Sequence, residues 1–220
     1  MASMSELRRR MVERHLMARG IHDPLVLAAM EKVPREAFLP RRLRHRAYAD
    51  APLPIGKGQT ISQPYIVAFM VEALQLKGGE SVLEIGTGSG YAAAVLAVIA
   101  REVHSVERIP QLSEKASRTL RDAGYTNVGV KHADGTQGWA DMGPFDAILV
   151  SAAAPSVPPA LQAQLKIGGR LVIPVGPTRW AQELIRITRQ DTQSFVSETL
   201  ADVCFVPLIG DTEASTLAPV

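Results

Sequence analysis

Between residues 81 and 175 the chain alternates short apolar runs with longer segments of helical pattern. This alternation predicts strands at 81–85, 103–106, 128–132, 145–151 and 170–175, and helices at 91–100, 111–123 and 160–165. Helical connections join strands that run parallel, and they cover both faces of the sheet that those strands form. We therefore expect an α/β fold with a doubly wound, mostly parallel sheet.

Both ends of the chain depart from this alternation. Residues 5–19 have a helical pattern, Asp23 caps a second helix, and Pro64 begins a third. Near the other end, strands separated only by turns are predicted at 183–188, 195–199 and 203–208. These patterns predict an N-terminal helical extension and an antiparallel C-terminal hairpin at the sheet edge.

The length of 220 residues suits one compact domain, which we divide into three parts. Residues 1–78 form a helical segment and a turn-rich loop that pack on the core. Residues 79–212 form the α/β core itself, and residues 213–220 form a frayed tail.

Composition and cysteine usage exclude several classes of protein. The longest apolar run, residues 91–100, is about half as long as a membrane-spanning helix, so we expect no membrane association. Cys204 is the single cysteine and cannot form an internal disulfide; we expect it in the core. The N-terminal segment is charged and unlike a secretory signal, and a single cysteine suits a reducing compartment, so we expect a cytoplasmic protein. We also expect a monomer.

Charge is distributed unevenly along the chain. Residues 1–50 hold 11 basic and 6 acidic side chains, whereas the remainder has more acids than bases. Such a basic segment could meet nucleic-acid phosphates or another anionic partner. No aromatic residues interleave with its arginines, so we favour solvated helix faces and do not expect nucleic-acid binding. The five histidines lack metal-ligand spacing, and we expect no metal site.

A glycine-rich turn follows the first predicted core strand, in the pattern Glu84-x-Gly86-x-Gly88-x-Gly90. Glycines there let the backbone take positive φ or let a ligand press against it. A strand-to-helix turn lies at the carboxyl edge of a parallel sheet, where nucleotides bind. A tight turn without a ligand is the alternative.

The pattern also indicates which nucleotide binds. A dinucleotide fingerprint would place its third glycine at Tyr91. The carboxylate of Glu84 would repel a pyrophosphate and attract a cation, which favours S-adenosylmethionine. A dehydrogenase is correspondingly disfavoured.

Acids that end the next two strands extend this hypothesis. Glu107 lies about 20 residues after the turn, where an acid accepts from both hydroxyls of a ribose. Asp134 follows the third strand and could accept from an adenine amino group, while Gly135 lets the ring approach. Asp134 as a plain turn residue is equally compatible with the pattern.

At several places the sequence resembles the protein-L-isoaspartate O-methyltransferase family. The resemblance lies in Gly58–Pro64 (GQTISQP), Val33–Phe38 (VPREAF), Pro144–Ile148 with Ala152–Pro155, Gly168–Gly176 (GGRLVIPVG) and Phe205–Leu208 (FVPL). Together these motifs span about residues 5–210 in the family's order. The arginine-rich stretch at 41–46 and the tail after Gly210 depart from the pattern.

The resemblance implies a Rossmann-like, S-adenosylmethionine-dependent methyltransferase that repairs isoaspartyl-containing proteins and peptides. It implies that Ser62 is the active-site serine. It also implies that the cofactor contacts are Thr60, Ser62, Glu84, Gly86, Gly88, Glu107, Asp134 and Gly135. It further implies that residues 152–155 and 206–207 flank the substrate peptide.

The reaction class agrees with the residues of the signature loop. A carboxylic acid has a reference pKa near 4, so the acceptor is already ionised at neutral pH and needs no general base. Thr60, Ser62 and Gln63 offer polar groups but no base. We expect Ser62 to position the acceptor, although it could also cap the helix that Pro64 begins. An RNA methyltransferase and a non-catalytic binder of damaged proteins are the rival hypotheses.

Overall fold

The computed structural model describes residues 2–178 and 181–210. Its α-helices are α1 (Met4–Met11), α2 (Pro24–Lys32), α3 (Pro64–Ala73), α4 (Tyr91–Ile99), α5 (Pro110–Asp122) and α6 (Pro159–Ala163). Its strands are β1 (Leu53–Gly56), β2 (Gln59–Ile61), β3 (Ser81–Ile85), β4 (Glu102–Glu107), β5 (Val128–His132), β6 (Phe145–Val150), β7 (Leu165–Thr178), β8 (Ala181–Arg189) and β9 (Phe195–Val203). The expected tail at 213–220 lies outside the described residues.

Seven strands form the central sheet in the order β5-β4-β3-β6-β7-β8-β9. Strands β3 to β7 pair in parallel, and β8 and β9 add antiparallel pairs at one edge. This confirms the predicted doubly wound fold. The chain builds outward from β3 to β5 and then returns to the other side of β3. The carboxyl end of β3 is therefore the point where strand order reverses, and ligands bind at such points.

The N-terminal segment is helical, as predicted, and it packs on the face of the sheet that carries α4. Gly20 ends the first helical stretch with a φ of 92°, and Asp23 Oδ1 accepts from the backbone amides of Leu25 and Val26. Buried side chains of this segment join a hydrophobic cluster that includes residues of α4, such as Leu96. Within the described ranges, no helix is long and apolar enough to cross a bilayer.

Two details of the predicted strands are wrong. The turn-rich loop contains the hairpin β1–β2, in which Leu53 pairs with Ile61. Buried and exposed positions alternate in β1, but the prolines and glycines of this segment favour turns, so the sequence predicts no strand there. The strand predicted at 195–199 is longer and forms β9 (Phe195–Val203). The strand predicted at 203–208 does not form, because the chain leaves β8 after Val203.

Strands β8 and β9 form the predicted antiparallel hairpin, and the final segment after Val203 then crosses the carboxyl edge of the sheet instead of adding another strand. There Pro207 makes a parallel bridge with Ala153, and the amide of Ala153 donates to the carbonyl of Val206 at 2.8 Å. Cys204 is exposed, so the prediction of a core position is wrong. Phe205, one residue on, is buried in its place because the chain turns as it leaves the sheet.

Arg35 is a fully buried arginine that the sequence did not reveal. Its Nε donates to the carbonyl of Ala47 at 2.8 Å, and its Nη2 donates to that of Ala51 at 3.4 Å. The guanidinium lies 5.1 Å from the ring centroid of Tyr91. Burial lowers the pKa of Arg35 to about 10, so the group is charged at neutral pH. Arg35 thus connects the irregular segment before β1 to the helix that follows the glycine turn.

Replacing Arg35 with methionine should destabilise the protein. The two carbonyls would lose their donors inside the fold, and we expect the free energy of unfolding to fall by about 2–4 kcal/mol. Urea denaturation measures this change. Arg41→Met is the matched control, because Arg41 is exposed in the same segment, and its effect should stay within about 0.5 kcal/mol. Equal effects of the two substitutions would contradict the role of Arg35.

Candidate active site

A cleft of about 970 Å³ opens at the carboxyl ends of the parallel strands. Four stretches of chain supply most of its walls, namely 59–62, 85–89, 106–109 and 206–209. They come from the end of the β1–β2 hairpin, the glycine turn, the end of β4 and the final segment. The fold therefore gathers residues from distant parts of the sequence around the switch point of the sheet.

The glycine turn is held against the neighbouring strand β4. The amide of Gly86 donates to the carbonyl of Val106 at 2.8 Å, and the amide of Gly88 donates to Glu107 Oε2 at the same distance. Gly90 takes a φ of 87°, and a Cβ there would lie 3.2 Å from Leu120 of α5. Backbone conformation and packing both require glycine at this position.

Glu107 ends β4 and lines the cleft while being only 7% exposed. Besides the bond from Gly88, its Oε1 accepts from the amide of Ile109 at 2.9 Å. A carboxylate has about four acceptor positions, so these two bonds leave capacity for ligand hydroxyls. Glu107 therefore both shapes the glycine turn and presents an acid to the cleft.

Glu84 lies behind the glycine turn and does not line the cleft, although the sequence suggested a carboxylate beside the ligand. It is fully buried, and Ser105 Oγ donates to its Oε2. The hydroxyls of Ser105 and Thr87 are also hydrogen-bonded, at 2.5 Å. Glu84 pairs with Ser105 in the sheet, whereas Glu107 lies beyond the last pair, Ile85 with Val106. Only Glu107 reaches the open edge.

Burial raises the pKa of Glu84 to about 8, and the hydrogen bond from Ser105 opposes that shift. In the unfolded chain a glutamate titrates near 4.5. Between about pH 4.5 and about pH 8, the folded state therefore keeps a proton on Glu84 that the unfolded state has released. Through this group alone, stability is fully present below about pH 4.5 and is lost as the pH rises to about 8.

Glu84→Gln should remove this pH dependence, because the amide has similar shape and no charge. We expect the melting temperature of the variant to exceed that of the wild type by a margin that grows between pH 5 and about pH 8. Calorimetric melts of the ligand-free proteins measure the margin. Glu80→Gln is a control outside the cluster. A constant margin across this range would show that Glu84 is ionised throughout.

Asp134 and Gly135 follow β5 at the same edge. Asp134 Oδ1 accepts from the amide and the hydroxyl of Thr136, both at 2.8 Å, which begins the 3-10 turn Gly135–Gln137. Gly135 is buried and lines the cleft, but Asp134 does not. A Cβ at Gly135 would lie 2.6 Å from Ile85 Cγ2, so packing against β3 excludes any larger residue.

Thr60 and Ser62 line the opposite wall, at the end of β2 and before α3. Thr60 is exposed and Ser62 is half-buried. The N-cap of α3 is Gln63, and no side chain caps the first turn. The alternative in which the Ser62 hydroxyl caps this helix is therefore wrong, and the hydroxyl is left to the cleft.

Some other residues line the cleft, and Asp146 lies away from it. Val67, Met70 and Leu149 add apolar side chains to the lining of the cleft. Asp146 lies at the amino edge of the sheet, where it accepts from the amide of Ser81 and pairs with Lys166. It is structural. In the part of the chain that the structure describes, no group of three or more histidines, cysteines or acids could hold a metal ion.

The sheet order and the glycine-lined cleft at its switch point together define a Rossmann-like methyltransferase. Residues 6–213 match the family model described as protein-L-isoaspartate(D-aspartate) O-methyltransferase. The chain belongs to this family, as its motifs suggested. It is 59% identical over 217 residues to "Protein-L-isoaspartate O-methyltransferase 1" of Rhodopseudomonas palustris, covering 99% of this chain and 89% of that protein.

Other comparisons agree. The chain is 58% identical over 208 residues to "Protein-L-isoaspartate O-methyltransferase 2" of Marinobacter nauticus, covering 94% of this chain and 95% of that one. A solved structure from Plasmodium falciparum, a putative protein-L-isoaspartate O-methyltransferase in complex with S-adenosyl-L-homocysteine, superposes with a TM-score of 0.80. It is 29% identical, and the match covers 92% of this chain and 98% of that one.

Proposed function

We propose that this protein transfers a methyl group from S-adenosylmethionine to the α-carboxylate of L-isoaspartyl residues in damaged proteins and peptides. Membership of the family supports the reaction. The observation that carries the proposal is the meeting of three parts in one cleft: Ser62 of the signature loop, the glycine turn and the acid Glu107.

The cleft has the features that an adenosine-containing donor requires. Bare backbone at Gly86 and Gly88 admits close approach, and the excluded Cβ at Gly135 leaves that wall flat. Glu107 offers acceptors for ribose hydroxyls, and Ile85 and Leu208 add apolar surface. Glu84 would act from behind the turn, through its buried carboxylate, rather than by touching the ligand. Asp134 would act by shaping the turn that carries Gly135.

When bound, S-adenosylmethionine supplies an electrophilic methyl group on a sulfonium cation. The acceptor carboxylate is ionised at neutral pH, so the protein's task is to orient it and to exclude water. Charges on both reactants are neutralised in the reaction, and water stabilises the separated charges better than the transition state. Ser62 would donate a hydrogen bond to the carboxylate, while residues 206–209 and Ala152 close the cleft from the other side.

Ser62→Ala should lower kcat for an isoaspartyl peptide. Losing one positioning donor at an active site costs about 2–4 kcal/mol, which corresponds to roughly 30-fold to 1,000-fold in rate. Initial rates with a radiolabelled donor measure the loss. Ser197→Ala, an exposed hydroxyl on β9, is the control and should retain full activity. Full activity in the Ser62 variant would show that this hydroxyl does not hold the acceptor.

Glu107→Gln should weaken binding of S-adenosylhomocysteine. The amide offers one acceptor instead of two, so an amide of the turn or a ribose hydroxyl loses its partner, and we expect roughly 10-fold to 100-fold lower affinity. Isothermal titration calorimetry measures it. Glu102→Gln, at the other end of β4, is the matched control. Unchanged affinity would exclude Glu107 from the ligand site.

The substrate class is tested with matched peptides that carry isoaspartate or aspartate. Base-labile label should appear on the isoaspartyl peptide alone. Greater transfer to tRNA would favour the rival RNA methyltransferase. Binding without transfer would favour the non-catalytic binder. We also propose that the protein acts as a monomer in the cytoplasm, without nucleic acid; light scattering on the purified protein measures its mass against 23.7 kDa.

A further inference from the structure

One carboxylate oxygen outside the cleft joins three separate segments of the chain. Asp50 Oδ2 accepts from Arg19 Nη1 and from Gln63 Nε2, both at 2.8 Å. Arg19 ends the N-terminal helical stretch, Asp50 lies in the loop before β1, and Gln63 is the N-cap of α3. The Asp50 side chain is only 18% exposed, so solvent screens these bonds less than at an open surface.

Aromatic stacking extends this junction into α3. The guanidinium of Arg19 lies 3.6 Å from the ring centroid of Tyr65. The rings of Tyr65 and Phe69 stack with centroids 5.8 Å apart. Arg19 therefore contacts the first turn of α3 through a ring as well as through Asp50. A planar guanidinium can serve both partners at once, which a lysine ammonium does not do as well.

Among the described residues, no side chain caps the first turn of α3, so the hydrogen bond to Asp50 is what fixes the Gln63 side chain at its start. Gln63 occupies the N-cap position but does not cap the helix, and its amide instead donates to Asp50. Ser62 directly precedes Gln63 and lines the cleft. A shift of Gln63 would therefore move the Ser62 hydroxyl, and small displacements of positioning groups reduce rates strongly.

We propose that Asp50 is a positioning residue for the methyl transfer, which holds Ser62 in place through Gln63 while Arg19 supplies the compensating charge. Asp50 does not touch the reacting groups. This inference rests on the proposed function, since it concerns the acceptor side of that reaction. Most of the donor side, namely the glycine turn and Glu107, belongs to other elements, so donor affinity should depend on Asp50 much less than kcat does.

The test compares steady-state kinetics and hydrogen exchange in Asp50→Ala and Glu198→Gln. Glu198 forms an equally close ion pair with Arg186, at 2.8 Å, on β8 and β9. We expect Asp50→Ala to lower kcat for an isoaspartyl peptide by about 10-fold to 100-fold, while its affinity for S-adenosylhomocysteine stays within about twofold. Exchange of amides at 59–66 should accelerate in Asp50→Ala and not in the control.

A polarity swap keeps the test valid if Asp50→Ala folds poorly. Gln63→Glu alone would place two carboxylates together, and it should lower kcat. When Asp50→Asn is added, the amide at position 50 can donate to the carboxylate at position 63. The kcat of this double variant should be at least about threefold higher than that of Gln63→Glu alone. A merely structural role would change melting temperatures without this recovery of kcat.

Two outcomes would overturn the inference. One is that the wild type methylates the isoaspartyl peptide and Asp50→Ala has the same kcat. The other is unchanged amide exchange at 59–66, which needs no activity to observe. Failure of the proposed function looks different, because the wild type itself would then leave the isoaspartyl peptide unlabelled.

Discussion

The cleft depends on the hydrogen bonds that the carboxylate of Glu107 accepts. This carboxylate accepts from the amides of Gly88 and Ile109, so it joins the glycine turn after β3 to the loop after β4. Those two loops flank the point where strand order reverses, and the ligand site exists only if they stay apart and rigid. A charged acceptor makes stronger hydrogen bonds than a neutral one. One side chain thus holds the glycine turn in place and also presents an acid to the cleft.

A buried polar cluster lies directly beneath this edge. Glu84, Ser105 and Thr87 form a hydrogen-bonded row between β3, β4 and the glycine turn, and Glu84 Oε1 has no hydrogen-bond partner in the structure. Burial of the carboxyl disfavours its ionised form, which is why the pKa of Glu84 rises.

The N-terminal segment does more than cover one face of the sheet. Arg35 ties the chain before β1 to the ring of Tyr91 at the start of α4, and Asp50 ties it to Gln63 at the start of α3. Both helices begin at the cleft. A parallel sheet with its glycine turn could bind a nucleotide without this segment, but nothing else in the described residues fixes the signature loop in this way. The extension therefore ties the starts of α3 and α4 together at the edge of the cleft.

Local patterns alone determined the order of strands and helices in the α/β core, the glycine turn and the acids near the ends of β3 and β4, because these depend on neighbouring residues. The tertiary structure decided which acid faces the cleft. Glu84 and Glu107 both look like strand-end acids, but strand register buries the first and exposes the second to the cleft. Arg35 and Asp50 also escaped prediction, since their partners lie 12 to 31 residues away and no periodicity encodes such contacts.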